Sequence, residues 1–89
     1  MTKLQEIRLA VSHCADSIGQ KKNGNFIFRR SFYYRHGMTA EKFKNEILSL
    51  LAHAKLMATV VDYGEHYTSF RGGATVAQGS HWWVEVEVL

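Results

Sequence analysis

Ten consecutive residues, Phe26-Ile27-Phe28-Arg29-Arg30-Ser31-Phe32-Tyr33-Tyr34-Arg35, constrain the fold more than any other stretch. Aromatic and β-branched side chains dominate it and no turn-former interrupts it, so it reads as a strand. Side chains on a strand alternate between faces. One face then holds Phe26, Phe28, Arg30, Phe32 and Tyr34, and the other Ile27, Arg29, Ser31, Tyr33 and Arg35. The first is apolar enough to bury. The second is cationic, with a tyrosine among the cations.

Around this strand the hydrophobic periodicity predicts two helices and two further strands. Thr2 and Gln5 form a capping box, in which the Thr side chain and the Gln amide satisfy each other's backbone amides. Leu4, Ile7, Val11, Cys14, Ala15 and Ile18 recur at three- and four-residue intervals, which predicts a helix over 3–18 ended by Gly19. Lys21 to Asn25 reads as a turn on its Asn-Gly pair. Thr39 caps a second helix ending near Lys55, with Phe43, Ile47, Leu50, Leu51 and Ala54 as its apolar stripe. Met57 to Tyr63 reads as a strand. So does His81 to Leu89, with Trp82, Val84, Val86 and Val88 on one side and Trp83, Glu85, Glu87 and Leu89 on the other.

The expected fold class is α+β, in the order α-β-α-β-β. It is a two-layer sandwich of a three-stranded mixed sheet, strand order 1-3-2, with two helices on one face. At 89 residues the chain makes a single domain, 1–89. Between Tyr63 and His81 lie seventeen residues with four glycines, long for a plain connection, which points to a contact loop. A small hairpin pairing Thr68–Phe70 with Ala74–Val76 is expected inside it.

Charge is unevenly placed within a net +3. Residues 21–56 carry eight Lys or Arg against Glu41 and Glu46, and Lys21 to Arg35 holds five cations and no acid. Such a field can steer an anionic partner, although this net charge is no nucleic-acid signature by itself. The expected contact residues are Arg29, Tyr33, Arg35 and Trp83 on the open sheet face, with His66, Tyr67, Phe70 and Arg71 in the long loop. A competing reading pairs Arg29 and Arg35 with Glu85 and Glu87 across the strands, cancelling much of the field. An RNA or single-stranded DNA binder would instead use Lys21, Lys22, Arg29, Arg30, Tyr33 and Arg35, cations for phosphates and a ring for a base.

Chemistry finds little support. His13 and Cys14 are adjacent in the expected helix and diverge by about 100°, and a thiol in an apolar stripe stays protonated. Ser69 or Ser80 beside His66 or His81 has no nucleophile-elbow motif. Asp62, Glu65, His66, His81 and His36 lack zinc-site spacing. The chain therefore reads as a non-enzymatic binding module with no metal or cofactor. Its expected partner is a protein or nucleoprotein complex. The size suits accessory or inhibitor proteins of phages and mobile elements acting on a host complex, in the manner of an anti-CRISPR. One cysteine and no apolar membrane-length run predict a cytoplasmic protein without a membrane partner. The uncovered sheet face and an aromatic edge strand predict a homodimer.

Overall fold

The computed structural model describes residues 2–31, 39–66 and 81–89. Its elements run α1 (Lys3–Val11), β1 (Ser17–Gln20), β2 (Phe26–Ser31), α2 (Ala40–His53), β3 (Ala58–His66) and β4 (His81–Val88). The four strands form one sheet, in the order β1-β2-β4-β3, and each neighbouring pair is antiparallel. The fold is thus α+β, with the last strand between the aromatic strand and β3. A fourth strand corrects the three-stranded mixed sheet expected above.

That extra strand comes out of the predicted first helix. The Thr2–Gln5 capping box forms, with Thr2 Oγ1 accepting from the Gln5 amide at 3.2 Å and Gln5 Oε1 from the Thr2 amide at 2.9 Å. The helix nevertheless stops at Val11, not at Ile18. Asp16 is the reason for the change of course. Its amide donates to the Arg29 carbonyl at 2.8 Å, and its carboxylate accepts from the Ser31 amide at 2.7 Å, which fastens the chain to the edge of β2. Ser17–Gln20 then pairs with β2, and Gly19 lies inside a strand where a helix terminator was expected. Lys21–Asn25 closes the hairpin, with Gly24 at φ +91°, a conformation glycine adopts without a Cβ penalty.

Cys14, Ala15 and Ile18 still reach the core by this other route, Cys14 buried and the other two packed on its margin. Ile7 and Val11 from α1, Phe43, Ile47 and Leu51 from α2, and Phe26, Phe28, Trp82, Val84 and Val86 from the sheet complete it. All five sheet residues point to one face, so both helices share that face. Ala54, assigned above to the α2 stripe, is exposed at the helix C-cap. Helix α2 ends in a Schellman motif: the Leu56 amide donates to the Leu51 carbonyl and the Lys55 amide to that of Ala52, both at 2.9 Å. Lys55 holds the left-handed position at φ 61°, where glycine is usual.

Strand β3 runs three residues beyond its predicted end, to His66, so Gly64, Glu65 and His66 belong to the sheet and not to the loop. A bulge between Val60 and Asp62 breaks its register with β4. The aromatic strand is internal, flanked by β1 and β4, and the sheet edges are β1 and β3. The homodimer expected through an aromatic edge therefore loses that edge. Among the described residues no helix is long and apolar enough to cross a membrane.

Candidate functional site

The sheet face turned away from the helices carries Ile27, Arg29 and Ser31 from β2, His81, Trp83, Glu85 and Glu87 from β4, and Asp62, Gly64 and His66 from β3. Within it lies a shallow groove of about 430 Å³ lined by Lys21, Ile27, Arg29, Asp62, His66, His81, Trp83 and Glu85. The ladder brings these together: Arg29 opposite Trp83, Ile27 opposite Glu85, and His66 opposite His81. The two imidazole rings sit 5.1 Å apart, tilted by 32°.

Trp83 owes its position to Gly64. A Cβ on Gly64 would stand 3.2 Å from the indole Cζ2 and 3.3 Å from Cε2, so the ring lies across the bare backbone of β3. No side chain larger than hydrogen leaves that seat intact. The indole is half-buried and forms the floor beside the exposed Arg29 guanidinium.

Glu85 is the one buried charged residue among those described, 7% exposed. Lys21 Nζ donates to its Oε1 at 2.7 Å and Asn25 Nδ2 to its Oε2 at 2.9 Å. These two hydrogen bonds, Asn25's the larger effect, hold its carboxyl below the ordinary 4.5 against the opposing effect of desolvation. The hairpin turn thereby closes one end of the groove.

The expected contact residues fare unequally. Arg29, Trp83 and His66 share the groove, with His66 on a strand instead of in a loop. Tyr33, Arg35, Tyr67, Phe70 and Arg71, together with the hairpin expected near 68–76 and His36, lie outside the described residues. The predicted Arg29–Glu85 ion pair is replaced by Lys21–Glu85, because register sets Ile27, not Arg29, opposite Glu85. Of the nucleic-acid set, Lys22 is exposed, but Lys21 is engaged by Glu85. Arg30 points to the helix side, 16% exposed, with Nη1 3.9 Å from Glu46 Oε2. Sequence reasoning missed Lys21, Asp62, Glu85 and His81 as members of one groove. Only the Asn23-Gly24 hairpin signal could have carried Lys21 to β4.

Cys14 is buried in the turn after α1, not on a helix. Burial, with the Glu46 carboxylate beside it, pushes its thiol from 9.0 up to about 11, although Arg30 pulls the other way. A thiol so held is a packing group and a poor nucleophile. Asp62, His66 and His81 line the groove while Glu65 faces the helix side, and no group of three or more His, Cys, Asp or Glu converges among the described residues. Comparison with protein-family models, with curated proteins and with solved structures finds no match to the chain.

Proposed function

We propose that this chain is a small non-enzymatic binding domain that docks on a protein surface, alone or within a nucleoprotein complex, through the helix-free face of its sheet. The observation that carries the reading is the company Arg29 keeps. It is exposed, makes no ion pair among the described residues, and lies directly opposite an indole held flat over Gly64. Tryptophan and arginine are both enriched among the few residues that dominate binding at protein interfaces.

The charge balance favours a protein over a bare nucleic acid. Lys21 and Arg29 face Asp62 and Glu85 around the groove, which leaves no net charge from these four. Tracking a phosphate backbone needs a run of uncompensated cations. A protein partner needs one carboxylate for Arg29 and an apolar side chain for Trp83 and Ile27. A role as an accessory or inhibitor protein of a mobile element fits the size of such a domain.

The test pairs two measurements on the full chain. With a mixed oligonucleotide pool at low salt, no mobility shift is expected. In affinity capture from the organism of origin, Arg29→Glu and Trp83→Ala should each lose the specific partner while keeping the wild-type circular dichroism. Retention of the same partner by both variants, or a salt-sensitive shift of the pool, sinks the reading.

A further inference from the structure

We infer that β3 is an interface between two copies of this chain, joined edge to edge about Gly64 so that two sheets become one. This rests on the sheet edge, whose Asp62 and His66 also line the groove of the docking face proposed above, and its test reads self-association and not partner capture.

Strand β3 is nine residues long and, among the described residues, unpaired on its outer side, whereas the opposite edge, β1, has four. Of five large hydrophobic residues exposed among those described, Met57, Val61, Tyr63 and Leu89 lie on this strand or at its start, where the Leu89 amide bonds the Met57 carbonyl. Natural edges are guarded, and this one has two guards. The bulge at Val61 disrupts its first half. In its second half the Tyr63 amide, turned outward, donates to the Asp62 carboxylate at 2.9 Å. That second guard is a single exposed hydrogen bond within adjacent residues, and it can be exchanged.

Charge selects one register for a two-fold antiparallel pair over residues 62–66. Centring on Asp62 or Glu65 sets like charges opposite one another, and centring on Tyr63 sets Asp62 against glycine. Centring on Gly64 sets Asp62 opposite His66 of the second copy, twice, and Tyr63 opposite Glu65 of the second copy. The face on which that Glu65 arrives already carries the Lys44 ammonium, 4.6 Å above the Tyr63 ring. By the two-residue repeat of the ladder, the outward amides of Tyr63 and Glu65 would exchange bonds between copies. Asp62 is then released from the Tyr63 amide toward the imidazole of the second copy. The bare backbone of Gly64, already crossed by the Trp83 indole, doubles at the axis.

Sedimentation of the full chain from about 10 µM to about 1 mM, the range in which a small contact is populated, should show reversible dimers. Tyr63 and Glu65 amides should gain hydrogen-exchange protection with concentration. Asp62→Arg or His66→Asp alone should weaken the dimer roughly tenfold, since two symmetry-related pairs are lost at once. The double change Asp62→His with His66→Asp should restore it. Glu65→Pro, which removes the amide together with the carboxylate, should leave a folded monomer, whereas Glu65→Ala, which removes the carboxylate and keeps the amide, should still dimerise. A wild-type chain that stays monomeric throughout overturns the inference. So does a dimer indifferent to these changes, one that protects Ser17–Gln20 instead, or an edge that takes up only a strand from a different protein.

Discussion

Replacing Gly64 by alanine sets two effects of similar size against each other, and the structure says which is visible where. Alanine restricts the unfolded chain, which stabilises a protein by about 0.4–1 kcal/mol where the native backbone tolerates it. Gly64 has an ordinary strand conformation, so that gain is available. Against it, the new Cβ stands 3.2–3.4 Å from three atoms of the Trp83 indole, which must yield by a few tenths of an ångström. In a sealed core such overpacking costs about 1–3 kcal/mol. Here the ring is half-exposed and can slide into the groove, so the cost lies at the low end. The two nearly cancel, and the melting temperature should move by no more than about 5 °C. The Trp83 indole Nε1–H resonance should shift clearly in a ¹H–¹⁵N spectrum. Trp82, on the helix face and 2% exposed, is an internal control whose resonance should stay. Gly64→Val, with two γ-carbons to place, should expel the ring and quench partner capture as strongly as Trp83→Ala. If Gly64→Ala leaves the Trp83 signal untouched, or moves Trp82 as far, the indole is not seated on that glycine.

Three further outcomes follow from the same geometry. Lys55→Gly should stabilise the fold by about 1 kcal/mol, the strain of holding a non-glycine residue in the left-handed C′ position, seen as a higher denaturation midpoint with unchanged slope. Glu85, whose folded pKa is depressed, contributes stability that is present above 4.5 and lost as pH falls through the folded value; Glu85→Gln should flatten the acid limb of a stability–pH curve, and a wild-type limb on the variant would refute the assignment. Cys14 has a raised folded pKa, so its contribution is complete below 9.0 and drains away up to about 11; Cys14→Ala should remove that alkaline decline, and a disulfide reagent should react with the native thiol only as fast as the chain opens.

The helices were legible where a cap and a long stripe agreed, as at Thr39 with Phe43, Ile47 and Leu51. The first helix was half legible for an instructive reason. Cys14, Ala15 and Ile18 continue the spacing of Leu4, Ile7 and Val11, and all of them do approach the core. Periodicity records that a side chain is buried, not the backbone path that buries it. What diverts the path is Asp16, whose two bonds to β2 are made with residues thirteen and fifteen positions away. The Asn23-Gly24 pair was the local clue, since that dipeptide between apolar runs signals a hairpin more strongly than a loop. On the candidate site, alternation in β4 separated Trp83 and Glu85 from the core residues, and the same rule placed Arg29 on the outer face. Register was not legible. A shift of two positions in β2 would have given Arg29 to Glu85, and only the paired strands show that Lys21 takes it instead.

That exchange of partners decides what kind of surface the face is. Had Arg29 paired with Glu85, the groove would hold no unengaged guanidinium, and Lys21 and Lys22 would form an exposed cationic turn suited to phosphates. With Lys21 drawn down to a buried carboxylate, the turn becomes a wall and the guanidinium, without an ion pair among the described residues, lies beside the indole. A charge taken from the rim is thus spent on shape, and the one left behind acts in a defined place. Reversing the arrangement tests the point. Lys21→Met should loosen the hairpin wall, leave Glu85 held by Asn25 with a weaker contribution from Asn23, and make the groove net acidic. Capture of a partner that presents a carboxylate to Arg29 should then weaken although no contact residue has changed. Unaltered capture would mean that the turn has no part in shaping the surface.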